Sequence, residues 1–199
     1  MARVTSQVKE ATRGRLLAAA AAEFARAGFD RANVDAISLA AGFAKGTIYN
    51  YFPSKEELFL AVVEQALAQA AATGPAPPDA TARDRLTATL AGLCGWAGQQ
   101  EALARVLVRE CLMGTPGLYP RVIGAEWPLT AELETIIADG IQDGEFRGDV
   151  PAELLALALA GLTDLALAQH WATGGTRPGL ADIPALVLTL LLGQPHTLG

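Results

Sequence analysis

Between residues 32 and 55 the apolar positions repeat at helical spacing twice, with a short polar interruption between the two stretches. Val34, Ile37 and Ala41 recur at i, i+3 and i+7, one buried face of a short helix, and Gly42 supplies a left-handed stop after it. A second short helix is expected over 45–51. Ile48 and Phe52 turn inward, Lys45, Thr47, Tyr49 and Asn50 turn outward, and Pro53 ends it. Helix, tight turn and helix, with a polar and aromatic free face, is the form a reader of the major groove requires. A plain helical hairpin has the same periodicity, so the residue types decide between the two. Gly46 beside Lys45 lets the backbone approach a phosphate or base edge. Thr47, Tyr49 and Lys55 offer hydroxyl and ammonium donors that phosphates accept.

The flanking pattern is helical throughout. A helix is expected over 12–27, capped by Thr12, with Leu16, Leu17, Ala20 and Phe24 inward and Gly28 as its stop. The polar residues 1–11 before it read as a mobile arm carrying Arg3 and Lys9. Asn33 is the natural N-cap of the first motif helix. Ser54, Lys55, Glu56 and Glu57 form a capping box that opens a long helix to about residue 72, followed by a Gly- and Pro-rich breaker at 73–78. Thr81 caps the next helix, which has a stripe of Leu86, Leu90, Leu93 and Ala97. Another is expected over 99–113, with Leu103, Val106, Leu107 and Glu110 on one face. The stretch 119–142 is helical again, with Pro128 expected to kink or divide it.

The last two helices, 150–171 and 180–192, are apolar nearly all round. A helix apolar on most sides is buried on most sides. In a domain this small that points to a subunit interface, two helices from each protomer forming a four-helix bundle about a two-fold axis, with Gly161 permitting close crossing. A central core of the single protomer is the alternative.

Composition narrows the class. Half of the 199 residues are apolar, Ala and Leu dominate and β-branched runs are nearly absent, which favours an all-α protein. The net charge of −6 argues against nucleic acid until it is divided along the chain. Residues 1–55 carry eight Lys/Arg against four acids, +4; the remainder carries seven Arg against 17 acids, −10, and has no lysine. A basic head on an acidic body fits a DNA-binding module joined to a part that should avoid DNA.

The motif string Val34…Ile37…Ala41-Gly42…Lys45-Gly46-Thr47-Ile48-Tyr49…Tyr51-Phe52…Ser54-Lys55…Leu58 resembles the DNA-binding signature of the TetR family of bacterial repressors. The likeness weakens beyond about residue 75, although Gly140 and the turn Asp143-Gly144-Glu145-Phe146-Arg147 also resemble that family's ligand-domain turn. The resemblance implies a three-helix helix-turn-helix head over 1–55 and a larger helical effector-binding and dimerisation domain over 56–199. It implies a dimeric repressor on a palindromic operator of double-stranded DNA, relieved by a small molecule. Lys45, Gly46, Thr47 and Asn50 would lie nearest the bases, and Asn33, Tyr49, Tyr51 and Lys55 would hold phosphate. Two positions depart from the family pattern: Asn33 stands where Thr or Ser is usual, and Ala44 where a capping Ser is common. The long helix from Ser54 joins both halves, so a shift at its far end must move its near end.

Enzymatic chemistry finds little support. No nucleophile elbow, zinc-protease or P-loop string occurs, and Cys94, Cys111, His170 and His196 lack metal-ligand spacing, so no cofactor, metal or catalytic residue is expected. The large or soft side chains available to an apolar effector pocket are Cys94, Trp96, Met113, Tyr119, Trp127, Phe146 and Trp171. Uninterrupted apolar runs such as 154–162 fall short of the roughly 20 residues that cross a bilayer. With two cysteines and no secretory leader in view, a cytoplasmic protein with reduced thiols and no membrane contact is expected. The competing reading is an all-α ligand carrier or enzyme that does not read DNA; the intact Lys45-Gly46-Thr47 stretch and the +4 head oppose it.

Overall fold

The computed structural model describes residues 2–71, 77, 79–115 and 118–191 of the chain; the expected breaker at 73–78, apart from Pro77, and the tail with His196 lie outside them. Among the described residues the fold is all helical: α1 (Ala2–Arg31), α2 (Val34–Ala40), a 3-10 turn (Thr47–Asn50), α3 (Lys55–Ala71), α4 (Ala82–Gln99), α5 (Glu101–Met113), α6 (Tyr119–Gln142), α7 (Ala152–Ala172) and α8 (Asp182–Leu191). Residues 1–11, expected as a mobile arm, are helical from Ala2 and continuous with the rest of α1. Thr12 is therefore an interior residue, not a cap. Its hydroxyl donates to the Val8 carbonyl at 2.9 Å, the back-bond that Thr adopts inside a helix. The stop at Gly28 is real, with φ 74° and ψ 173°, but the chain resumes helical geometry to Arg31, giving a kink.

Local caps follow the sequence elsewhere. Asn33 accepts from the Ala36 amide at 3.1 Å, Ser54 from Glu57 at 3.2 Å and Thr81 from Asp84 at 3.1 Å. α6 runs undivided through Pro128. α7 begins at Ala152, with Pro151 at its cap position rather than in its first turn.

α1 packs on α2, α3 and α5; α3 packs on α1, α4 and α6; α7 packs on α5, α6 and α8. The buried side chains form one continuous cluster from Leu16 to Val187, and α3 threads through it. Phe59 of α3 is fully buried between Phe24 and Phe29, with ring centroids 4.9 and 5.2 Å away.

The 143–149 turn closes the body by two devices. The Glu145 carboxylate accepts from the Ala82 and Arg83 amides at 3.1 and 3.0 Å, so it caps α4 from a distant part of the chain. Phe146 packs against Gly140, where a Cβ would fall 2.2 and 2.4 Å from its ring carbons Cδ2 and Cε2 and 2.9 Å from the Cβ of Ala82. Gly140→Ala is therefore expected to lower stability by about 1–3 kcal/mol, through overpacking, in a urea titration.

By length and mean hydropathy α7 is long and apolar enough to cross a membrane, although 28 % of its most apolar window is buried inside the protein. Its outer side leaves Leu154, Leu157 and Leu165 more than half exposed, with Leu186 of α8 at 44 %. A Cβ on Gly161, in the same stripe, would meet open space.

Candidate nucleic-acid interface

The second motif helix differs from its expected form. It is a single 3-10 turn starting at Thr47, two residues later than the pattern suggested. Gly46 precedes it with φ 81°, a left-handed conformation in which a side chain is strained. No side chain caps the turn, as Ala44 foretold. The Ala44 carbonyl instead accepts from the Ser38 hydroxyl at 2.7 Å and the Thr47 amide at 3.1 Å, which pins the turn to α2.

Within it, Ile48 is fully buried and Phe52 nearly so, while Lys45, Tyr49 and Asn50 are exposed; Gly46, Thr47 and Tyr51 are half-buried at its edge. The expected inside is thus realised, and of the expected outward set Lys45, Tyr49 and Asn50 face out while Thr47 is half-buried. Asn33 is exposed with its carbonyl oxygen engaged by Ala36, leaving the amide NH2 as its remaining donor group. The Glu23 carboxylate receives the Asn33 backbone amide at 3.2 Å and is held below its usual range chiefly by hydrogen bonds from Arg26.

The basic residues of the head are tied to it rather than loose. Arg15 donates to the Ala41 carbonyl at 2.7 Å, closing the end of α2, and its guanidinium lies 4.7 Å from the Phe43 ring centroid. Arg13 sits 5.3 Å over Phe52. Lys55 donates to the Asp30 carbonyl at 2.8 Å, beyond the α1 kink, and lies 5.0 Å over Phe29. An ammonium has three donors, so this bond orients Lys55 and leaves capacity for phosphate. Spacing alone missed these anchors, because each joins residues 25 or more positions apart, or a cation to an aromatic face.

Among the described residues, those nominated for an effector pocket are dispersed. Met113 is 83 % exposed, Phe146 is packed on Gly140, and Trp171 lies beneath the Arg105 guanidinium. Cys94 and Trp96 are buried on α4, and burial pushes the Cys94 thiol up to about 11, which leaves it an unreactive core group. The side chains of Tyr119 and Trp127 lie outside the described residues. A small internal space of about 30 Å³ does occur between α4, α6 and α7, lined by Thr89, Leu90, Leu93, Leu129, Thr130, Leu133, Ala160, Thr163 and Asp164. Among the described residues no group of His, Cys, Asp and Glu is arranged to hold a metal.

Comparison with known proteins agrees with this geometry. The profile described as "Bacterial regulatory proteins, tetR family" matches residues 16–62. The HTH-type transcriptional repressor AcnR of Corynebacterium efficiens is 27 % identical over 83 % of this chain and 85 % of its own. Among solved structures, Salmonella enterica GusR superposes with a TM-score of 0.73 at 27 % identity, covering 91 % of this chain and 95 % of that one. The fold is shared with the transcriptional regulator FadR of Bacillus subtilis in complex with stearoyl-CoA, TM-score 0.76 at 23 % identity, over 92 % and 98 % of the two chains. With a helix-turn-helix head that matches the TetR family of bacterial regulatory proteins over residues 16–62, and relatives that regulate transcription along most of its length, the chain is a DNA-binding transcriptional regulator.

Proposed function

We propose that the protein acts in the cytoplasm as a homodimeric repressor, whose two 3-10 turns enter successive major grooves of a palindromic operator and whose grip is relieved by a small apolar molecule. The observation that carries this reading is the outward set Lys45, Tyr49 and Asn50 over an inward Ile48 and Phe52. Lys45, Gly46, Thr47 and Asn50 serve the bases; Asn33, Tyr49, Tyr51 and Lys55 serve the backbone. The exposed leucines of α7 and α8 supply the two-fold contact that a palindrome requires, through 150–172 and 180–192. Functionally the chain divides into a reading head, 1–55, and an effector and dimerisation body, 56–199.

The effector enters between α4, α6 and α7, where Leu90, Leu93, Leu129 and Leu133 already border a space. The stearoyl-CoA held by the FadR relative supports an apolar ligand of this kind. Expansion there presses on α6, whose Arg121 is paired with Glu57 at the start of α3, and so reaches the head by population shift.

A selection of genomic fragments by the purified protein, followed by a salt-titrated gel shift on the tightest duplex, tests the reading. A protected palindrome with salt-sensitive binding supports it; affinity equal to that for random duplex refutes it. On the selected duplex, Lys55→Gln is expected to weaken binding to every sequence and reduce the salt slope by about 0.9, one phosphate. Asn50→Ala is expected to relax preference at one base position by about 1–3 kcal/mol.

A further inference from the structure

We propose that Arg109 is a positioning residue for DNA binding: it ties a buried acid of the body to Asp30 of the head and thereby places the Lys55 ammonium. This rests on the assignment of Lys55 to phosphate made above. One guanidinium nitrogen, Arg109 Nη2, lies 3.4 Å from Asp30 Oδ2 and also 3.4 Å from Glu110 Oε1. Glu110 is 1 % exposed. Its Oε2 accepts from the Thr115 amide at 3.0 Å and the Thr115 hydroxyl at 2.8 Å, whereas Oε1 has no hydrogen-bond partner. A buried carboxylate with an unbonded oxygen calls for a counter-charge, and Arg109 is the cation paired with it. Glu110 stood on the apolar face of its helix in the sequence, and this pairing accounts for it.

On the head side, Asp30 follows the Gly28 kink by two residues, and its carbonyl holds Lys55. The path is therefore continuous: Thr115, in the turn between α5 and α6, to Glu110, Arg109, Asp30 and Lys55. Its far end adjoins α6, the helix whose Arg121 pairs with Glu57, two residues beyond Lys55. Lys55 is thus approached from the body along two routes. The Arg109–Asp30 pair is itself exposed, 55 % and 62 %, so it adds little to stability. Its effect lies in where it places the kink. Both carboxylates meet the same nitrogen, so a lysine keeps the charge but, with its different reach and shape, reproduces the position only in part.

The test is a double-mutant cycle on the full-length protein, using the selected operator duplex at several salt concentrations. Arg109→Gln is expected to weaken binding by about 3- to 10-fold and lower the salt slope toward that of Lys55→Gln, with Arg109→Lys recovering part of the loss. In the Lys55→Gln background, Arg109→Gln should have no further effect. Additive losses would overturn the proposal, since they mean that Arg109 acts independently of Lys55, by a direct phosphate contact or by general destabilisation. An Arg109→Gln protein with unchanged affinity and slope would overturn it as well. If Lys55→Gln alone changes neither quantity, the phosphate role of Lys55 is wrong and the inference fails with it; a normal operator footprint would show that the wider reading survives.

Discussion

Phe59→Ala is expected to destabilise the protein by about 3–5 kcal/mol, a large part of the 5–15 kcal/mol that an ordinary domain possesses. The ring is fully buried and touches Phe24 and Phe29 edge-on, at centroid distances where aromatic pairs add to the gain from burial. Phe29 also lies beneath Lys55 and follows the kink directly, so a cavity at Phe59 loosens the corner that holds Lys55. Urea titration should show a lower midpoint with an unchanged slope, and operator affinity should fall in parallel. Phe59→Leu keeps most of the apolar volume and should recover much of the loss. A cost below about 1 kcal/mol for the alanine variant would mean that the site collapses freely, and that the aromatic trio does not hold the corner.

Leu157→Asp is expected to abolish the dimer while leaving the protomer folded. Leu157 is 63 % exposed in the single chain, so a carboxylate there is hydrated and harmless to the monomer. In an isologous interface the same substitution occurs on both sides of the axis, and two carboxylates must be buried together without partners. A penalty of about 3–5 kcal/mol for each unpaired buried charge weakens association on the order of 100-fold at the least. Sedimentation at micromolar concentration should register a monomer, circular dichroism should register intact helix, and operator affinity should drop because one head meets one half-site. A variant that remains dimeric would move the interface away from this stripe of α7.

Several features were legible because their physics is local. Asn33, Ser54 and Thr81 lie just before periodic apolar runs and cap the helices that follow. Ile48 and Phe52 had to face inward once Lys45, Tyr49 and Asn50 faced out. The N-terminal arm escaped because helix can extend from a packed segment without an apolar stripe of its own; Val8 in that arm is 61 % exposed. Thr12 resembles a cap only if the helix starts there, and its hydroxyl serves equally well turned back on Val8. The late start of the second motif helix follows from Ala44 and Gly46, one unable to cap and the other left-handed.

Long-range partners were the hidden part. Glu145 with Ala82, and Arg121 with Glu57, stand 63 and 64 positions apart, and no period relates them. Side-chain size also says nothing of direction. Met113 and Phe146 are both large and apolar, yet one faces out and the other covers Gly140.

The way α3 threads the core bears on how such regulators are recombined. The family match runs to residue 62, and the side chains that complete the aromatic corner and its surroundings, Leu58, Phe59 and Val62, come after the Lys55 that opens the helix. A chimera joined at residue 55 would graft a head lacking its inner wall onto a body whose α3 was shaped for another α1. A transplant should therefore carry the first two turns of α3, together with the α5 residue Arg109 that meets Asp30. DNA specificity in this scaffold is portable only along with the piece of the body that finishes its core.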